Sequence, residues 1–240
     1  MTDATLPSSE IKKPAIKKSE MESSQTLNSS IANKDKRILV LFAHPVPQQS
    51  EVNIFLFNDA KNVSNVTAID LYAHYPDFNI DVIREQQRLV SHDVIIFQFP
   101  LYWYSTPSIL KEYQDLVLEY GFAYGKGGSA LKGKQFFCAI SAGGKEEAYQ
   151  SDGFNHFTIR QLLQPLEQMA SITTMTYLAP FALFGSRSAS REQRIEKHRS
   201  KWRSLLNVLA TGQFDIERAR SIENLADLDI LEEPAENQSK

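Results

Sequence analysis

The chain has 240 residues, 42% of them hydrophobic, with 26 basic and 29 acidic side chains and a formal net charge of −3. That near balance argues against nucleic acid as the main partner, because no excess of Lys and Arg is available to neutralise phosphates. The single cysteine, Cys138, excludes an intramolecular disulfide or a multi-cysteine metal site, and no apolar run approaches the roughly 18 residues that span a bilayer. The N-terminus has no apolar stretch of the secretory-signal kind, so a reduced, cytoplasmic protein is the expectation.

Residues 1–36 are rich in Ser, Lys, Glu, Thr and Asn and contain no aromatic residue, which predicts a disordered polar extension. Order is expected from Arg37. Ile38 to Ala43 is a continuous apolar run, as in a strand buried on both faces. After a loop that begins with His44-Pro45, Ser50 is a candidate N-cap for the first helix. Val66 to Leu71 predicts a second strand, Asp81 to Leu89 a helix, and Val94 to Phe99 a third buried strand. Pro107 suits the first residue of a helix running to about Tyr120. Gln135 to Ile140 is strand four, a helix follows over 157–170, and Ile172 to Tyr177 is strand five. Ser190 to Ala210 predicts a long final helix ended by Gly212. Residues 213–240 carry eight acids against three bases and read as an acidic tail. Five short strands alternating with helices predict one α/β domain over 37–212. The expected architecture is a flavodoxin-like three-layer α/β/α sandwich with a five-stranded parallel sheet in the order 2-1-3-4-5.

In such a sheet, ligands bind beyond the carboxyl ends of the strands, where the strand order reverses. The loops after strands one, three and four are therefore the candidates. The first, His44 to Asn53, has neither a G-x-G-x-x-G nor a Lys-Ser/Thr pair. It does offer a hydroxyl and the free amides of a helix start, which suit a monoester phosphate; Ser50 as a plain helix cap is the equal alternative. The second, Pro100 to Pro107, presents three successive aromatics at 102–104. A planar ring could stack on them, and a dimer interface or local packing would also account for them. The third, Ser141 to Tyr149, contains the Gly143-Gly144 pair, which lets backbone approach a ligand closely, as it also does in ordinary turns. Gly128 to Lys134 matches G-x-x-x-x-G-K, but Gln135 stands where Ser or Thr is required and the segment precedes a strand, so a turn is expected. The five histidines lack close pair spacing and predict no metal site, and Cys138 reads as a core residue.

Ala43-His44-Pro45 followed by Ser50 and Asn53 resembles the opening loop of the NAD(P)H quinone oxidoreductase family. Tyr75-Pro76-Asp77-Phe78-Asn79-Ile80-Asp81, Pro100 to Ser105, and Gly121 to Gly128 with Leu131 to Lys134 narrow the resemblance. Together they look like the ancillary proteins of the glutathione-regulated potassium-efflux system, the Kef type, from about Arg37 to Gly212. The resemblance implies bound FMN, NADH or NADPH as electron donor, two-electron reduction of a quinone, and a homodimer. It also implies docking on a membrane potassium–proton antiporter at the inner face of the membrane. Carried over by position, His44, Ser50, Glu51, Val52 and Asn53 would hold the FMN phosphate. Leu101, Tyr102, Trp103 and Tyr104 would flank the isoalloxazine, and Ser141, Ala142, Gly143 and Gly144 would bind its pyrimidine edge. Tyr149 and, with a one-residue shift in spacing, His156 look like the pair that stabilises charge on the reduced flavin, and Ala142 stands where relatives often have Thr. A regulatory subunit with a structural or sensory flavin, and an azo- or nitro-compound reductase, are the alternative readings.

Overall fold

The computed structural model describes residues 35–229; the extension expected to be disordered, up to residue 34, and the end of the acidic segment, from 230, lie outside them. β1 (Ile38–Phe42) leads through a 3-10 turn at Pro47–Gln49 into α1 (Asn53–Ala60). β2 (Val66–Asp70), α2 (Leu71–His74), α3 (Val82–Ser91), β3 (Val94–Pro100) and α4 (Ser108–Val117) follow. Next come β4 (Gln135–Ser141), a 3-10 turn at Glu146–Tyr149, α5 (Ile159–Leu162), α6 (Gln164–Ile172), β5 (Thr176–Tyr177) and β6 (Phe181–Leu183). The described chain ends with α7 (Ser186–Ala189), α8 (Arg194–Ala210), α9 (Ile216–Ser221) and a 3-10 turn at Leu225–Asp227.

The strand pairs are parallel in the expected order β2-β1-β3-β4-β5, and β6 is added beside the carboxyl end of β4. Successive strand side chains face opposite ways and feed two cores. Leu39, Leu41, Ile95, Phe97, Phe136 and Cys138 pack with α3, α4 and α6. Ile38, Val40, Val94, Ile96, Phe137 and Ala139 pack with α1 and α8, around the fully buried Trp202. Each buried Val, Leu, Ile or Phe among them contributes about 1.5–3 kcal/mol relative to exposure, so both faces hold the sheet. This two-sided burial is why these strands read as unbroken apolar runs. No helix among the described residues is long and apolar enough to cross a membrane.

Several boundaries differ from expectation. α1 starts at Asn53 with Val52 in the cap position, and Ser50 acts from further back, its Oγ accepting the Ile54 N–H at 3.3 Å. Pro107 precedes α4 rather than opening it, and α4 stops at Val117. The helix expected over 157–170 is two helices meeting at Leu163, and α8 begins at Arg194 rather than Ser190.

Strand five differs most. Ile172 ends α6, because Thr173 Oγ1 donates back to the carbonyls of Met169 and Ala170 (2.8 and 3.1 Å) and Thr174 turns at φ +58°. The β-branched run is thus a capped helix end and a turn, and only Thr176 and Tyr177 pair with β4. The chain then passes Pro180 and returns as β6 beside Ala139–Ser141. Packing continues beyond Gly212: Phe214, Ala219, Leu225 and Leu228 are buried in the α8-side core. The Asn224 side chain bonds both backbone groups of Ala182 on β6 (2.9 and 3.2 Å). The described part of the acidic segment therefore packs onto the domain. The G-x-x-x-x-G-K segment is a turn into β4, with Gly133 at φ +77° donating its N–H to Thr174.

Candidate functional site

The sheet register levels three loops. Phe42 lies beside Gln98 and Pro100 beside Ser141. The ladder continues one residue past each strand, through Ala43 N–H to Gln98 O, Leu101 N–H to Ser141 O and Ala142 N–H to Leu183 O, all 2.9 Å. The loops after β1, β3 and β4 therefore leave the sheet side by side, at the point where strand order reverses.

A buried polar network joins the roots of these loops. Asn53 Nδ2 donates to Ser141 Oγ at 2.7 Å, and Gln98 Nε2 donates to the Asn53 carbonyl at 2.6 Å. It fixes the start of α1 against β3 and β4. Asn53 Oδ1 and Gln98 Oε1 are buried without a partner. No acceptor among the described residues takes the amides of Glu51, Val52 or Asn53. Three successive donors are thus free at the electropositive end of α1. Glu51 itself is exposed, while Val52 is buried.

His44 is buried at the start of the same loop. Its Nδ1 accepts the Val46 N–H at 3.2 Å, so the ring proton sits on Nε2, 3.5 Å from the Tyr102 hydroxyl. Burial lowers its pKa from the usual imidazole value against the opposing pull of Asp70, so the ring is neutral at pH 7 and Nε2 is a donor.

After β3, Leu101 is buried and the chain turns tightly from Tyr102 to Ser105, closed by Ser105 N–H to Tyr102 O at 3.0 Å. Both central residues have positive φ, Trp103 at +49° and Tyr104 at +61°. Such turns ordinarily use Asn and Gly, and an ordinary side chain there costs about 1–2 kcal/mol. Trp103 is nonetheless 93% exposed. Tyr104 donates to Asn155 Oδ1 at 3.0 Å, which ties a further loop to this rim.

In the loop after β4, a Cβ on Gly144 would lie 3.2 Å from the Tyr149 ring and 3.5 Å from its hydroxyl. Tyr149 is buried against Phe184, ring centroids 5.2 Å apart. Burial raises its pKa, with the Gly144 backbone opposing, so the phenol keeps its proton at pH 7. Ala142 is buried and Gly143 exposed. The structure brings the predicted residues of 44–53, 101–104, 141–144 and Tyr149 to one end of the sheet. His156, next to the Asn155 that Tyr104 contacts, is exposed at φ +59°, and its ring makes no hydrogen bond to this set among the described residues. Sequence reasoning missed Gln98, Asn155, Phe184 and Gly185. Only Gln98 carried a signal, as the one polar side chain in the Val94–Phe99 run. A cavity of about 310 Å³ lined by Lys36, Asp93, Lys134 and Gln135 lies instead at the amino end of β4, where no loop of this set reaches.

A family described as flavodoxin-like fold matches residues 36–206. The chain is 44% identical over 178 residues to the glutathione-regulated potassium-efflux system ancillary protein KefG of Cronobacter sakazakii, covering 74% of this chain and 97% of that protein. It superposes on the general stress protein 14 of Treponema denticola in complex with FMN, with TM-score 0.68 and 34% identity over 72% of this chain and 99% of that one. It also superposes on an NADPH-quinone reductase from P. pentosaceus, with TM-score 0.64 and 32% identity over 70% of this chain and 96% of that one.

Proposed function

The chain belongs to the flavodoxin-like fold family, and from that premise we propose that it is an FMN-dependent NAD(P)H:quinone oxidoreductase acting as a homodimer. The carrying observation is one juxtaposition: free amides at 51–53, ready for an anion, share a sheet end with a strained, exposed aromatic turn. An FMN complex and an NADPH-quinone reductase among the structural relatives support the same reading.

When bound, FMN supplies two-electron chemistry, taking hydride from NADH or NADPH and passing it to a quinone. The amides of 51–53 would donate to its phosphate, joined by Nε2–H of His44 and the Ser50 hydroxyl. The Asn53 amide, turned by 180°, would accept from the Ser141 hydroxyl and offer its NH₂ from the position that is otherwise an orphaned buried acceptor. Leu101, Tyr102, Trp103 and Tyr104 would line the ring, with Trp103 excluding water from one side. The backbone of 141–144 would meet the pyrimidine edge, Ala142 adding no hydroxyl. Tyr149 keeps its proton and would donate from its hydroxyl to charge arising there, and His156 would add a second donor from the adjoining loop.

Purified protein supplied with FMN should show flavin absorption bands and oxidise NADH or NADPH only when a soluble quinone is present. A protein that stays colourless, or has no quinone-dependent turnover, overturns the proposal. The KefG similarity favours a second, compatible role, docking on a potassium–proton antiporter. In that case Tyr149→Phe should lose quinone turnover while still activating potassium efflux in reconstituted vesicles.

A further inference from the structure

We propose that Arg187 is a charge-placing residue of this same site, holding a guanidinium against the Gly143-Gly144 turn where it favours the reduced over the oxidised state of the bound ring. This rests on the FMN reading above and adds to it a residue that no loop motif pointed to.

The local geometry is set by β6. After Leu183 the chain reverses at Gly185, φ +60°, whose N–H donates to Gly144 O at 2.7 Å; the next amide, Ser186, donates to Ala142 O at 2.9 Å. Residues 185–187 are therefore strapped alongside 142–144. A Cβ on Gly143 would lie 3.4 Å from Arg187 Nε, 3.8 Å from Cζ and 3.9 Å from Nη2. The guanidinium thus lies in contact range of the turn assigned to the pyrimidine edge.

Its neighbour Arg194 provides the contrast. Arg194 uses its guanidinium to hold the backbone, donating to Phe184 O at 3.0 Å, Gly185 O at 3.1 Å and Glu192 at 2.7 Å. Arg187 donates to no acceptor and pairs with no carboxylate among the described residues, although its five N–H groups could do both. Arg187 is exposed, so its guanidinium beside the Gly143-Gly144 turn is hydrated and open to an incoming ligand.

The chemistry gives this charge a preference. Hydride transfer moves two electrons and one proton from NAD(P)H, which leaves as NAD(P)⁺, so the ring gains one negative charge. That charge is spread over the pyrimidine edge. A fixed cation there binds the reduced ring more tightly than the oxidised one, and only such a difference shifts the equilibrium.

The test uses FMN-loaded wild type, Arg187→Gln and Arg187→Lys, comparing oxidised-FMN affinity by fluorescence and the two-electron midpoint potential by dye-coupled titration. Arg187→Gln should leave oxidised-FMN affinity within about twofold. Its affinity for reduced FMN should fall roughly tenfold, equivalent to ~30 mV in the potential, with Arg187→Lys in between. An unchanged potential in Arg187→Gln overturns the proposal, and if the KM for NADPH rises instead, the guanidinium belongs to the nucleotide phosphate. Wild type that takes up no FMN defeats the functional reading itself, before any variant is compared.

Discussion

Trp103 and Tyr104 occupy backbone positions that local energetics would assign to Asn or Gly, and Trp103 keeps 93% of its surface exposed. The side chain therefore adds little to the fold while its left-handed backbone costs about 1–2 kcal/mol. Strain of this kind persists where function requires it. Trp103→Gly is expected to raise the urea-unfolding stability of the flavin-free protein by roughly 1 kcal/mol and to weaken FMN binding several-fold in the same preparation. A variant that binds FMN as tightly as wild type would remove the stacking role. His198 has the reverse balance. It is buried between elements, stacked on Phe181 at 4.3 Å, with Nε2 unpartnered, and burial pushes its pKa down to about 3. The unfolded chain titrates near 6.5, so between pH 6.5 and 3 the unfolded state binds the extra proton and stability falls on acidification, by up to about 1.4 kcal/mol per pH unit. His198→Phe should match wild type near pH 7 and exceed it by on the order of 2 kcal/mol at pH 5, read from urea midpoints. Parallel pH profiles for the two proteins would show that His198 is not the group responsible.

The elements that were legible from sequence are those whose pattern is long enough to have a period. β1, β3 and β4 are five to seven residues buried on both faces, and each was found within about a residue. β5 and β6 are two and three residues long, too short to show any alternation, and Ile172-Thr173-Thr174 advertised strand propensity where Thr173 in fact caps a helix. The Tyr75–Asp81 motif, part of the family resemblance, proves to be scaffold. Tyr75 donates to the fully buried Glu85 of α3 at 2.6 Å, which ties the end of α2 to α3, and Glu85 also pairs with Arg88 on the same helix. In the segment after Gly212, Ile216, Ile222, Leu225 and Leu228 suggest a loose amphipathic helix within an acidic composition; the structure instead forms a short helix at Ile216–Ser221 and a 3-10 turn at Leu225–Asp227. The segment's hold on β6 is concentrated in Asn224, whose amide satisfies both the N–H and the C=O of Ala182. Asn224→Leu would leave those two buried groups unpaired and should cost about 1–3 kcal/mol in chemical denaturation. Because β6 also straps the Gly144 loop through Gly185, FMN affinity should fall with it. Loss of stability with unaltered FMN affinity would uncouple the segment from the site.

At the scale of the molecule, the rim could be located from topology because strand order alone fixes where parallel loops diverge. Its depth could not, because Phe184 and Gly185 reach it by pairings between segments distant in sequence. The proposed FMN reading gives the site two separable ends: the amides at the start of α1 for the phosphate, and 101–104 with 141–144 for the ring. A ligand that binds only the native state stabilises it by RT ln(1 + [L]/Kd), about 2.7 kcal/mol at a hundredfold excess over Kd. For a domain of this size that is a rise of roughly 5–10 °C in Tm. FMN should produce that rise, and riboflavin at the same concentration much less, because it engages the platform but leaves the amides of 51–53 unpaired. Inorganic phosphate added with riboflavin should recover part of the difference, whereas sodium chloride at equal ionic strength should not. Equal shifts from FMN and riboflavin would mean that the helix start is not the phosphate cradle, and the ring platform alone would then have to account for binding.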